Sequence, residues 1–186
     1  LAAMAVAVLA LAGCGGTDDK KAATETKVLK VGATAVPHAE ILEQIKDDLK
    51  AEGIDLQVVE FNDYVQPNLA LNDKELDANY FQHAPYLDNF VKEHPEVKLA
   101  NAAGIHIEPM GIYSHKVKSL NEVKDGATVA IPNDPTNGGR ALILLSKAGL
   151  ITLKDNNNIA ATVNDITANP KNLKFQELEA AQVPRS

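Results

Sequence analysis

Hydrophobic and polar residues alternate along Lys27-Val28-Leu29-Lys30-Val31-Gly32-Ala33-Thr34, the period of a strand that closes in a turn. Past Pro37 the period changes. Ile41, Leu42, Ile45 and Leu49 fall on one face of a helix, and Gly53 supplies its stop. A second strand follows over 56–61, so the order strand–helix–strand predicts a right-handed unit on a parallel sheet. The pattern then gives a short helix over 65–71, a short strand over 75–81 and a helix over 84–94 with Leu87, Phe90 and Val91 facing inward. Residues 97–107 and 111–114 read as further strands, interrupted by Pro109 and Gly111, which suggests a crossing between two lobes. A second unit begins with a short helix over 120–123, a strand over 127–131 and a strong helix from 138 that ends near Gly149. A turn over 155–158, a strand over 173–175 and the opening of a helix over 177–182 complete the pattern. No repeat is evident, and alternating strands and helices point to an α/β fold.

The first residues belong to a different regime. Leu1 to Ala12 are all small or apolar, Gly13 and Cys14 follow, and no charge occurs before Asp18. This run is shorter than the ~20 residues that span a bilayer and fits the apolar region of a secretory signal, clipped of its charged start. Leu11-Ala12-Gly13-Cys14 is similar to the lipobox of bacterial lipoproteins, in which the segment before the cysteine is removed and the thiol acylated. Residues 1–13 are therefore expected to be a signal peptide and Cys14 a lipidation site carrying palmitate. A short core helix with an unrelated buried cysteine is the competing reading. Residues 14–26 are small, polar and charged without periodicity, and read as a flexible tether.

Composition narrows the function classes. The 186 residues are 45% hydrophobic and 23% charged, enough for a core in one domain or two small lobes. The net charge of −7 leaves no basic stripe for phosphate backbones, and 4% aromatics with no Trp offer no base-stacking platform, so no nucleic-acid partner is expected. One cysteine can make neither an internal disulfide nor a multi-thiolate metal site. His38, His83, His94, His106 and His115 include no HxH and no i, i+4 pair. A metal centre would need assembly from distant turns; neither metal nor cofactor is expected. None of the four serines sits in a GxSxG elbow and the carboxylates are scattered, so catalysis has no support.

Two stretches carry recognition chemistry. In Ile131-Pro132-Asn133-Asp134-Pro135-Thr136-Asn137-Gly138-Gly139-Arg140 a strand leaves the core through a polar turn and enters a helix. Thr136 is the expected N-cap, the two glycines would let a ligand approach backbone N–H groups, and the helix end suits an anion. Arg140 adds a planar fork for a carboxylate. The whole reads as a carboxylate clamp, or equally as a capped helix with a surface arginine. In Asn79-Tyr80-Phe81-Gln82-His83-Ala84-Pro85-Tyr86 three of eight aromatic residues crowd beside a histidine. They could wall an apolar ligand or form ordinary local core. Tyr64 and His106 lie at other expected strand ends, where ligands of open α/β sheets bind.

These segments together resemble the NlpA family of methionine-binding lipoproteins, the substrate-binding subunits of methionine ABC importers. The resemblance rests on the lipobox, Val31-Gly32-Ala33-Thr34, Pro37-His38-Ala39-Glu40, Phe61-Asn62-Asp63-Tyr64-Val65-Gln66-Pro67-Asn68, Asp77-Ala78-Asn79-Tyr80-Phe81-Gln82-His83, Glu108-Pro109-Met110-Gly111 and Ile131-Pro132-Asn133-Asp134-Pro135-Thr136-Asn137. It implies a type II periplasmic-binding-protein-like fold with a ligand cleft between two α/β lobes, here 27–110 and 111–186. Both lobes would be incomplete, because the family continues beyond this C-terminus. By the resemblance, Arg140 grips the carboxylate of methionine, Asn137 bonds its polar head, and Tyr64, Tyr80, Phe81, His83 and His106 line the side-chain pocket. It further implies an extracytoplasmic receptor, not an enzyme, held at the bilayer through acylated Cys14 and delivering methionine to a membrane permease. A receptor for another small amino acid, a dipeptide or a metal ion, or a surface adhesion lipoprotein, are the alternatives.

Overall fold

The computed structural model describes residues 26–186. The expected signal peptide and Cys14, and nearly all of the expected tether, lie outside the described residues. Strand β1 (Lys27–Thr34) is central in a three-stranded parallel sheet of order β2-β1-β3, with β2 at Ile54–Phe61 and β3 at Ala78–Tyr80. Lys27 pairs with Ile54 and Thr34 with Phe61, while Val31 to Ala33 pair with Ala78 to Tyr80 on the other edge. A neighbour on each side and helices on its faces bury the last four residues of β1 together, so its alternation ends where its burial begins. The parallel strand–helix–strand unit is present as expected.

The connection from β1 to β2 comprises an irregular turn over Ala35–Ala39 and two short helices, α1 (Glu40–Gln44) and α2 (Lys46–Ala51). The helix breaks at Ile45 (φ −100°, ψ 1°), which interrupts the 3.6-residue period on which the expected apolar face depended. Leu42 is buried, but Ile41 and Ile45 remain exposed. Gly53 ends this segment in the left-handed region at φ 81°, where glycine carries no Cβ penalty. Helix α3 (Gln66–Asn72) and helix α4 (Ala84–Glu93) flank β3 and bury Tyr86, Leu87 and Phe90, whereas Val91 is only half-buried.

A second parallel pair joins β4 (Thr128–Pro132) to the last strand, β7 (Lys174–Leu178), with Thr128 opposite Lys174 and Pro132 opposite Leu178. Between them run helix α5 (Pro135–Lys147) and a small antiparallel pair, β5 (Thr152–Leu153) with β6 (Ile166–Ala168). Neither β5 nor β6 was expected, because two or three residues carry little periodicity of their own. Ile131, Leu142 and Leu145 anchor the core here, with Leu150, Ile151, Leu153, Ala161 and Leu173 around them. Val31, Ala33, Ala39, Leu42 and Leu56 form a separate core under the first sheet.

Three expectations fail for stated reasons. Residues 97–107 and 111–114 are not strands; they run without ladder partners, and Ile105, Ile107 and Tyr113 stand exposed. Alternation marks an extended chain, but a strand also needs a neighbour for its N–H and C=O groups. The helix expected over 177–182 begins as strand, because β4 offers pairing through Leu178, and only then turns into a 3-10 helix over Ala180–Arg185. Finally, α5 starts at Pro135, three residues earlier than expected, with Asp134 and not Thr136 as its N-cap.

Candidate functional site

The α5 N-terminus is built around the Asp134 carboxylate. Its Oδ1 accepts the Asn137 backbone N–H at 2.9 Å and the Thr136 hydroxyl at 3.1 Å, and its Oδ2 accepts the Asn137 side-chain amide at 3.1 Å. The Gly138 N–H goes to the Asp134 carbonyl at 2.8 Å. A carboxylate thus already occupies the positive helix end, and the expected open row of donors for a ligand anion is absent. A proline at the first helical position identifies the residue before it as the cap, so Asp134-Pro135 was the legible signal.

The glycines also serve another purpose than expected. A Cβ on Gly138 would stand 2.8 Å from the Pro132 carbonyl oxygen, and one on Gly139 would stand 1.9 Å from that of Ile159. Both are buried, and they let α5 lie directly on neighbouring backbone rather than on a ligand.

What remains of the clamp is Arg140. With Asn137 oriented by Asp134, Asn137 Oδ1 accepts one guanidinium nitrogen at 3.0 Å, and the Glu108 carbonyl accepts the other at 3.0 Å. The fork is therefore held in place from two separate segments, its own helix and the stretch at Glu108, 32 positions from Arg140. Replacement of Asp134 by alanine is expected to lower stability by about 1 kcal/mol, the ordinary worth of an N-cap. It also frees Asn137 and with it the Arg140 fork. Denaturant melts of the variant check the first effect, and Asn137 side-chain amide NMR signals check the second.

The aromatic residues form two linked groups. Tyr64, Phe81 and Tyr86 pack with ring centroids 5.7–6.1 Å apart, and the Tyr86 hydroxyl donates to the Tyr64 carbonyl at 2.8 Å. Burial raises the phenol pKa of both Tyr64 and Tyr86, so both stay neutral donors. Phe81, Tyr86 and Phe90 also belong to one buried cluster, so this group is core as well as wall. Behind it, Asn68 is fully buried and bonds the side chains of Gln82 and Asn79, with Asn79 also donating to the Pro67 carbonyl at 3.0 Å. This network locks the chain that carries Tyr80 to His83.

Tyr80 belongs to the second group. Its hydroxyl lies 2.6 Å from His106 Nδ1, its ring meets His38 edge-on at 4.8 Å, and His106 is 5.4 Å from His38. Thr34 Oγ1 lies 2.7 Å from His38 Nδ1, and Glu108 Oε1 lies 3.5 Å from His38 Nε2 and 3.1 Å from His106 Nε2. Glu108 connects the two parts of the site, its side chain facing the histidines and its carbonyl holding Arg140.

His83 stands at the start of α4. Its Nε2 is buried without a hydrogen-bond partner. Burial, and next the nearby Arg140 charge, push its pKa below the usual histidine value, which keeps the ring neutral. A buried unpaired nitrogen costs free energy unless something polar reaches it.

Of the residues singled out in the sequence, Arg140 and Asn137 meet directly, Tyr64 meets Phe81, and Tyr80 meets His106. Tyr86, Asp134, His38 and Glu108 lie in the quoted stretches but were assigned no role in the site. For Glu108 a signal existed: His106 and Glu108 are two residues apart, and in extended chain such residues share a face.

Comparison with known proteins agrees with this architecture. The chain is 48% identical over 178 residues to the D-methionine-binding lipoprotein MetQ of Salmonella typhi, covering 96% of this chain and 64% of that protein. It is 46% identical over 169 residues to the methionine-binding lipoprotein MetQ of Bacillus subtilis, covering 90% of this chain and 61% of that one. The chain thus spans under two thirds of the length of these relatives. A solved ABC-transporter periplasmic substrate-binding protein from Coxiella burnetii superposes with a TM-score of 0.78 at 43% identity, over 85% of this chain and 66% of that chain. The α/β fold is that of substrate-binding lipoproteins. Residues 29–186 match the family model described as NlpA lipoprotein, and the chain belongs to that family.

Proposed function

We propose that this protein is an extracytoplasmic substrate-binding lipoprotein that captures methionine and hands it to the permease of an ABC importer, without catalysing any reaction. The observation that carries the reading is the Arg140 guanidinium, held by Asn137 Oδ1 and the Glu108 carbonyl near the unpaired His83 Nε2 and the aromatic wall. A fixed fork beside aromatic rings and one orphaned polar atom suits a zwitterion with an apolar side chain. Residues 27–110 and 111–186 act in this reading as the two lobes, each with its own sheet and core, and Glu108 lies at the crossing. Arg140 takes the carboxylate and Asn137 the polar head, while Tyr64, Tyr80, Phe81, His83 and His106 surround the side chain. Acylated Cys14 holds the receptor at the membrane; among the described residues no helix is long and apolar enough to cross it.

The relatives' names, which specify methionine, support the choice of ligand. Titration calorimetry of the whole protein against L-methionine, D-methionine, other amino acids and short peptides checks it. Saturable heat with either methionine and an unchanged ligand afterwards is the expected result. Heat only with a different ligand class, or turnover of the ligand, would refute the assignment.

A further inference from the structure

His38, His106 and Glu108 reach one point from separate parts of the chain. His38 follows the end of β1, while His106 and Glu108 lie on the unpaired stretch ahead of β4. One ligand atom from each lies within 4.8 Å of the other two. Glu108 Oε1 is 3.5 Å from His38 Nε2 and 3.1 Å from His106 Nε2. Tetrahedral coordination with bonds of about 2.0–2.2 Å places ligand atoms about 3.4 Å apart. The carboxylate already stands near that spacing from both imidazoles, and only the imidazoles need to draw together.

The outward-facing atoms complete the pattern. Each histidine has a hydroxyl at its Nδ1, Thr34 Oγ1 at 2.7 Å for His38 and the Tyr80 hydroxyl at 2.6 Å for His106. A hydroxyl accepting from Nδ1–H fixes the tautomer whose Nε2 lone pair points toward Glu108. That is the arrangement in which an imidazole ligates a metal while its other nitrogen is held by a neighbour. His38 is buried and therefore fixed, whereas His106 and Glu108 are exposed and leave the remaining coordination positions open to water.

We propose that His38, His106 and Glu108 form a binding site for a divalent transition cation of the zinc, nickel or cobalt class. Two imidazoles and one carboxylate suit these ions; calcium and magnesium prefer all-oxygen shells. Sequence spacing misses the site because its two histidines are 68 positions apart and only the fold joins them. The site shares His106 with the methionine reading, but its test needs no amino acid, so the two can fail separately.

The test titrates Zn2+ alone into the full chain in a non-chelating buffer, with heat as the signal, and repeats it with Co2+ read by visible absorption. One ion per chain with a micromolar Kd is expected, together with cobalt bands of four- or five-coordinate geometry. Glu108→Gln and His106→Ala, both at exposed positions, should each weaken Zn2+ binding at least tenfold while circular dichroism stays unchanged. Thr34→Val should weaken it about tenfold by releasing the His38 ring. His94→Ala and His115→Ala should have no effect. Absence of saturable binding below about 100 μM Zn2+ (roughly −5.5 kcal/mol) overturns the proposal, as does an affinity unchanged in Glu108→Gln and His106→Ala.

Discussion

Arg140→Ala should weaken methionine binding to the whole protein roughly 30- to 1,000-fold, a loss of about 2–4 kcal/mol. The magnitude follows from what is left behind. A ligand carboxylate drawn into the site would lose charge-assisted hydrogen bonds and remain partly desolvated beside the neutral His83 ring. Arg140 is half-buried and its protein partners are one amide oxygen and one carbonyl. Its removal should therefore cost the fold no more than about 1 kcal/mol, so binding and stability separate cleanly. Arg140→Lys should recover only part of the affinity, because an ammonium cannot hold the Glu108 carbonyl, Asn137 and a carboxylate with one planar fork. Calorimetry on both variants measures this, and wild-type affinity in the alanine variant would remove Arg140 from the site.

Gly139→Ala should destabilise the protein by about 3 kcal/mol or more, above the usual range for an overpacked methyl. The new Cβ would lie 1.9 Å from the Ile159 carbonyl oxygen and 2.5 Å from its carbonyl carbon. These are backbone atoms, which cannot rotate aside as a side-chain tip can. Helix α5 would have to lift away from 159–160, and Leu142 and Leu145, fully packed on the same helix, would lose contacts. The displacement would carry Arg140 with it, so ligand affinity should fall as well. Gly104→Ala is the control, since nothing lies within 4 Å of its added methyl, and its effect should stay within about 0.5 kcal/mol. Thermal melts of the two variants side by side provide the measurement; equal midpoints would show that α5 does not rest on 159–160 as described.

The same glycine shows why motif reading reached only part of the site. A Gly-Gly pair at a helix start is compatible with ligand approach and with close packing of backbone on backbone. Which one applies depends on Ile159, twenty positions away. The strands β1, β2, β4 and β7, helices α3 and α4, and the helix stops at Gly53 and Gly149 were legible, because local period and left-handed glycine are encoded within a few residues. So were the Arg140 fork and the aromatic crowding, as residue types. The unpaired course of 97–114, the short pair β5–β6 and the extension of β7 were not. Each depends on whether a partner strand is present, and partnership is a long-range property.

Local periodicity alone determined an α/β chain built on parallel strand–helix–strand connections, because side-chain alternation and 3.6-residue spacing need no knowledge of distant residues. Tertiary structure alone decided that Gly139 faces the Ile159 backbone and not a ligand. It also decided that Glu108 joins the Arg140 fork to the His38–His106 pair. The contacts of Gly139, Arg140 and His38 reach groups twenty or more positions away, and only burial of the separate apolar cores stabilises the chain enough to hold them there.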